Sequence, residues 1–346
     1  MSNSTAANDS TAGVDLSIDK ESYSTRVQSF DVKRDLGRAD VATIELSGLA
    51  PKFSPGAPVT LSMYKKAIFL GEIVDISTTY GTSGQQQTTK LIAMNQLHRL
   101  DRGRRSHKPF PDKDDEQIIG EIAKEYGMTK VVWGDKNLTF KHPVVLWTNQ
   151  TAMEFLSQRA LRYGYHIWCV DKTLYCKAPD LSKKAETELT LGKNLASFLP
   201  RMSSARITKT VHVQSTNPTT AKVIEGISEA KGKPPLGSVH ATKACGDDIA
   251  KENLIVDIPV LSKAEADAVA DAQFLRQSLT FITAEAELVG GNPEFELGTT
   301  VDITLSRGDQ FNGGYYITGI AHRFVPKRQT GSHFVTHLSL ARDARS

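Results

Sequence analysis

Cysteine is scarce in this sequence: three residues in 346, Cys169, Cys176 and Cys245, with no CxxC pair among them. An odd, widely spaced set argues against a disulfide framework. Long apolar runs are missing too. None approaches the roughly 18 residues of a membrane-spanning helix, and no signal-like apolar core follows Met1. The expectation is a protein made and folded in a cytoplasm, with no membrane attachment. Charge of one sign is also lacking. The net charge is only +3, which gives no general reason to invoke nucleic acid or an anionic surface. Aromatic residues make up 7% and are spread through the chain, which speaks against a face built to stack bases. No GxSxG surrounds any serine, and no Cys–His context marks a nucleophile.

What the chain has instead is turn residues and alternation. It holds 25 glycines and 14 prolines, a balance that suits a folded protein rich in β-turns. The length exceeds one typical domain of roughly 100–200 residues, so two or three units are expected. Residues 1–13 are small and polar and are expected to be disordered. From Val14 to about Arg99 apolar residues alternate, as in Val14, Leu16 and Ile18 or Val59, Leu61 and Met63. Gly, Pro or Asn/Gln clusters stand between these runs. Five or more short strands at this spacing predict a small closed barrel or sandwich.

Two helices follow. Asp112–Tyr126 carries Ile118, Ile119, Ile122 and Ala123 on one face and stops at Gly127. Thr151–Tyr163 opens on Thr151 and Glu154 at capping-box spacing and stops at Gly164. Next comes a hairpin, Ile167–Val170 against Thr173–Cys176, whose register sets Trp168 opposite Tyr175. The two sulfurs are then diagonal neighbours, buried, reduced and too far apart for an easy bridge. Together these pieces predict a compact α/β insert. Strand signals return from Leu189 to Val213, and a loop-rich stretch runs from Thr216 to Pro259. A third helix opens on Ser262 and Glu265, again at capping-box spacing, and the remainder is strand-like to Leu340.

An internal echo organises these elements. Phe53–Leu61 places Gly56 three residues before Val59 and five before Leu61. Phe295–Ile303 places Gly298 in the same relation to Val301 and Ile303. Downstream, Gly71–Ile76 is answered by Tyr316–Ile320, and the offset between repeats changes by two residues. The expected fold is mainly β with α/β insertions: two β-barrels related by internal duplication plus a small α/β domain. The first barrel is expected over 14–106, the insert over 107–180, and the second barrel over 181–346. A loop-rich and helical insertion interrupts the second barrel at about 216–279.

Three stretches carry a resemblance to a known family. Thr151–Ala160 (TAMEFLSQRA), followed by Tyr163-Gly164-Tyr165, resembles a helix of Phe-Leu-x-x-Arg type ending in Gly before a β-hairpin. Phe69–Val74 (FLGEIV) resembles a first-barrel strand with an apolar-Gly-x-Ile/Val core. Gly290–Leu305, with Pro293 and Gly298, resembles the turn leading into a second barrel. The family is the late control protein D group of phage tails, which includes the baseplate hubs of contractile phages and the hub portion of type VI secretion spike proteins. The resemblance implies tail-tube-like barrels and a homotrimer presenting six of them around a channel. Such a trimer would join a hexameric tail tube protein above to a trimeric spike protein below, with baseplate wedge and tape measure proteins as further partners. It also implies assembly in a bacterial cytoplasm and residence in a virion tail baseplate or injection-system particle. Two departures stand out. Where family members often carry a Trp-Asp-Pro-like turn, this chain has Ser215-Thr216-Asn217-Pro218. Type VI spike proteins continue into further domains, whereas this sequence stops at Ser346, so a separate spike protein is expected.

No catalytic, cofactor-binding or metal-binding residue is expected, and the chain is read as a structural protein and not an enzyme. Gly226–Lys233 superficially looks like a phosphate loop, but its spacing is one residue too long and Pro234 replaces the hydroxyl residue. His333 and His337 would share a strand face, yet two ligands without a nearby acid make a poor zinc site. His240, Cys245, Asp247 and Asp248 form a looser cluster. Asp114 and Asp115 sit in a helix first turn, where the dipole accounts for them. The strongest charge feature is Arg99, Arg102, Arg104, Arg105 and Lys108. It is expected to be a partner-contact surface whose replacement removes no apolar surface. The rival readings are a tail-associated cell-wall hydrolase, which would need an extra catalytic constellation, and a nucleic-acid-binding β-barrel, which would need a basic face studded with aromatics.

Overall fold

The computed structural model describes residues 13–48, 52–81, 87–105, 107–134, 140–183, 185–217, 220–246, 249–327 and 331–346. The expected disordered tail, apart from Gly13, lies outside the described residues. The first strand set consists of β1 (Val14–Ile18), the short β2 (Glu21–Ser22), β3 (Val27–Asp35), β4 (Val41–Ser47), β5 (Pro58–Met63), β6 (Lys66–Thr79) and β7 (Thr88–Met94). Six of these strands lie in the order β1-β5-β6-β7-β4-β3, each antiparallel to its neighbours. Alternation does the work here: Val14, Leu16, Ile18, Ile44, Leu46, Val59 and Leu61 all point into one core.

The insert follows as β8 (Lys108–Lys113), α1 (Asp115–Glu125), β9 (Lys130–Trp133), β10 (His142–Trp147), α2 (Ala152–Arg162), β11 (His166–Val170) and β12 (Thr173–Lys177). Both helices start on reciprocal capping boxes. Asp114 Oδ1 accepts from the Gln117 N–H at 2.8 Å and Thr151 Oγ1 from the Glu154 N–H at 3.1 Å. Trp168 stands opposite Tyr175, with rings stacked 5.1 Å apart at 7°. Cys169 and Cys176 are free and buried, and burial pushes the Cys169 thiol up to about 12.

The rest of the chain forms β13 (Glu188–Thr190), β14 (Leu195–Met202), β15 (Thr208–Thr216), β16 (Val223–Glu229), β17 (Val239–His240), α3 (Ala241–Ala244), β18 (Ala250–Ile255), α4 (Lys263–Ser278), β19 (Ile282–Leu288), β20 (Thr300–Thr304), β21 (Gly313–Lys327), β22 (Gly331–Arg342) and β23 (Ala344–Arg345). Six of these lie in the order β13-β20-β21-β22-β19-β14. β15, which alternation groups with the second barrel, instead pairs with β16 and β18 in a separate three-stranded sheet. Alternation reports a half-buried strand but not its partner, and the turn at Ser203–Ile207 redirects the chain between the two sheets.

The two six-strand sets match in detail. Taken in chain order, corresponding strands occupy the same places in the sheet. The register slips between Val27 and Ser29 in β3 and between Leu195 and Ser197 in β14. It slips again between Ile73 and Asp75 in β6 and between Ile317 and Gly319 in β21. Bulges are specified features of a sheet, so their recurrence at matching positions marks a repeated unit. The turn glycines match too. Gly56, at φ 91°, donates to the Ile73 carbonyl at 2.7 Å, and Ile73 donates to Ala57 at 2.9 Å. Gly298, at φ 78°, donates to Ile317 at 3.1 Å, and Ile317 donates to Thr299 at 2.9 Å. One difference is directional: β1 runs antiparallel to β5, whereas β13 runs parallel to β20.

The sets are also joined edge to edge. Gly319–Phe324 of β21 pairs antiparallel with Asp35–Phe30 of β3, which fuses both sets into one 13-stranded sheet. Phe30 stacks on Phe324 across this junction at 5.3 Å.

Gly226, first residue of the false phosphate loop, has a purely steric role. A Cβ there would lie 2.2 Å from the Ala266 carbonyl carbon of α4, backbone against backbone. Gly226→Ala is therefore expected to cost about 1–3 kcal/mol, seen as a lowered thermal midpoint. Gly120→Ala, inside α1 with open space around it, is expected to raise stability by about 0.5–1 kcal/mol.

Candidate partner interface

The basic run occupies the seam between the first strand set and the insert, and each cation meets a group of this chain. Arg99 forms a two-pronged ion pair with the buried carboxylate of Glu72 on β6, its Nε at 3.0 Å. His98 Nε2 lies 3.1 Å from the same carboxylate and Arg102 Nη2 lies 2.7 Å from that ring nitrogen. Burial works against the Glu72 charge, but the Arg99 hydrogen bond and charge, helped by His98 and Arg102, outweigh it and hold the carboxyl below its usual range. Arg104 donates to the Asn149 carbonyl and to Glu154, both at 2.7 Å, reaching the capping box of α2. Lys108 donates to Glu125 at 2.9 Å and lies 3.1 Å from Glu121 on α1.

Arg105 differs from the expectation that the run covers no apolar surface. Its guanidinium lies 4.7 Å over the buried Trp147 ring and donates to Glu125 at 3.3 Å. Arg102 and Arg104 remain 63% and 55% exposed, so they are the members best able to meet another molecule.

Two buried ion pairs were not legible as such. Asp115, expected to answer only the helix dipole, is buried between Arg159 and His142, whose Nε2 lies 3.3 Å away. Arg159 is the arginine of the Phe-Leu-x-x-Arg motif, so that motif here ties α2 to α1. Burial opposes the Asp115 charge, but the His142 hydrogen bond and the Arg159 charge keep its carboxyl below the usual range. Arg162 pairs with Glu265 at 2.5 Å and donates to the Pro259 carbonyl at 2.8 Å, tying α2 to α4. The Glu265 carboxylate also accepts from the Leu261 N–H, so its spacing from Ser262 serves both the cap and the helix contact.

The Gly232 carbonyl hydrogen-bonds His240 Nε2 at 3.0 Å. Asp247 and Asp248 lie outside the described residues, as does the side chain of His333. Among the described residues, no three His, Cys, Asp or Glu side chains gather as a metal site, and no helix is long and apolar enough to cross a membrane.

Two predictions follow from these contacts. Arg105→Ser should cost about 1 kcal/mol through the lost cation–π contact, measured by chemical denaturation. The second concerns acid. Burial, with a smaller contribution from a nearby arginine, pushes the His166 ring down to about 4 and the His322 ring down to about 3. Below the ordinary histidine value of about 6.5 the unfolded chain binds protons that these rings refuse in the fold, so stability falls as pH drops from there toward 4. Asp40, pushed by burial up to about 6, acts in the opposite sense by gaining a proton in the fold. His322→Leu is expected to shrink the difference in thermal midpoint between about pH 7 and about pH 4.5.

Several solved structures share this fold. A tail protein from Neisseria meningitidis MC58 aligns with a TM-score of 0.73 at 13% identity, covering 96% of each chain. The 43 kDa tail protein of prophage MuSo2 from Shewanella oneidensis aligns with a TM-score of 0.71 at 15% identity, covering 96% of this chain and 99% of that one. An Escherichia coli component of the type VI secretion system, described as structurally similar to T4 bacteriophage tail proteins, aligns with a TM-score of 0.62 at 11% identity, covering 94% and 76%. No curated protein matches the chain. A family model described as the Alg8 N-terminal domain matches residues 10–325, and the chain belongs to that family.

Proposed function

We propose that the chain is the structural baseplate hub of a contractile phage tail or a related contractile injection system, joining a hexameric tail tube to a trimeric spike, and that it is not an enzyme. The observation that carries this reading is the repeated six-strand unit, with its matching order and bulges. A homotrimer of such a chain holds six similar units. It can therefore meet a sixfold tube on one face and keep threefold symmetry for a spike on the other. The division into a first barrel over 14–106, an insert over 107–180 and a second barrel over 181–346 belongs to the same reading. The fold shared with phage tail proteins and with a type VI secretion component supports it, as do the late-control-like motifs around Phe69 and Phe155.

The partners in this reading are the tail tube protein, a separate spike protein, and wedge and tape measure proteins. Arg102 and Arg104 are the side chains of the basic run most open to them, and such contacts guide docking and weaken with salt. Against a cell-wall hydrolase stands the pairing of buried acids with arginines. Glu72, Asp115, Glu265 and Asp40 each meet one, and at Glu72 and Asp115 this holds the carboxyl below its usual range, whereas a general acid needs a raised carboxyl open to substrate.

The chain assembled with its spike protein is expected to give a 3:3 complex in mass photometry. A stable 1:1 or 6:6 complex contradicts the hub reading, and clearing of purified peptidoglycan by the pure chain, abolished by one point mutation, contradicts the absence of catalysis.

A further inference from the structure

The repeat leaves one junction half-built. β21 pairs with β20 up to Tyr316, and past its bulge it turns the edge Gly319–Phe324 to β3. β6 has the same plan. It pairs with β5 up to Glu72, its bulge falls at Ile73–Asp75, and its later residues pair with β7 on one side. The other edge of that later part has no strand partner among the described residues. β14 is the counterpart of β3 in sheet position and bulge, yet from Ser197 onward its strand partner among the described residues is β19 alone. Each chain thus contains one finished junction and the two separated halves of a second.

We propose that the β14 edge of one copy, Phe198–Ser203, adds antiparallel to the β6 edge of a neighbouring copy, Asp75–Tyr80, and continues the sheet across the chain boundary. This rests on the hub reading and specifies its interface. Carrying the β3–β21 register across by the bulge positions sets Phe198 opposite Tyr80, Leu199 opposite Thr79, Arg201 opposite Ser77 and Met202 opposite Ile76. The open edges show what such a contact would cover: Tyr80 is 77%, Leu199 73% and Met202 37% exposed. At the finished junction Phe30, Val32 and Phe324 are buried. Arg201 would share a sheet face with Asp75, as Asp31 stands opposite Arg323 in the finished junction.

The hydrogen-bond parity is also fixed. Leu36 donates to the Thr318 carbonyl at 3.0 Å, so Arg34, Val32 and Phe30 are the β3 residues that exchange bonds with β21. Their counterparts, Met202, Pro200 and Phe198, aim at the open edge. Pro200 withholds one donor there, which removes one ladder bond and guards the edge against indiscriminate strand addition. Because the contact joins two different edges, it propagates head to tail, and in a homotrimer it closes into a ring. Three copies would have six like junctions, three within chains and three between.

Ser77 and Arg201 fall at a non-hydrogen-bonded position, where facing side chains are close enough for a disulfide. The test uses full-length chain carrying Cys245→Ser, Ser77→Cys and Arg201→Cys, co-expressed with its spike protein, oxidised and run on a non-reducing gel. Most of the chain is expected to shift to a covalent trimer. Neither single cysteine variant should do so, nor should the register-shifted pair Ser77→Cys with Leu199→Cys. A 3:3 complex that forms no interchain bond, or that links the shifted pair equally well, overturns the edge pairing and leaves the hub reading standing. A complex without three copies of the chain removes both.

Discussion

The antiparallel contact between β3 and β21 is the constraint on which the rest of the structure depends. Without it the chain would be two strand sets tied by an insert. With it, Phe324 and Phe334 from the end of the sequence complete the core of the first set. The strand pair therefore fixes the relative placement of the two units through backbone bonds, and side-chain stacking of Phe30 on Phe324 adds apolar burial to that placement.

The insert is held by a different kind of contact. Its two main helices and α4 are cross-braced by arginines from one helix: Arg159 reaches back to Asp115, and Arg162 reaches forward to Glu265. Buried pairs of this sort give modest net stability because desolvation offsets much of the attraction, but removing one partner leaves a costly lone charge. They act as keys for orientation. The seam of Arg99, Arg104, Arg105 and Lys108 extends the same device to the outer surface, where the first strand set meets the insert.

Local signals were legible in the sequence wherever a short pattern has a single physical reading. The capping residues Thr151 and Ser262, the Trp168–Tyr175 pair and the Gly56/Gly298 echo are all of this kind. What escaped depends on residues far apart in the chain. The assignment of β15 to a separate sheet, the fusion of the two sets and the parallel course of β13 are choices of partner, and alternation is the same for any partner. The basic run illustrates the same limit. Its charge crowding was visible, but Glu72, Glu121, Glu125 and Glu154, which neutralise it, are contributed by a strand and two helices that only the fold brings together.

The β3–β21 pairing also has a consequence for how the chain comes off the ribosome. Its two strands are separated by most of the sequence. At synthesis rates of roughly 5–20 residues per second, β3 waits about 15–60 seconds for its partner to be translated. For that interval the β3 edge of the first set has no partner, on a polysome where sister chains present the same edge nearby. The edge carries Asp31, Lys33, Arg34 and Asp35, a density of charge that resists association with an identical strand. The residues that lie along the finished junction therefore also protect the nascent chain until its own last strands arrive.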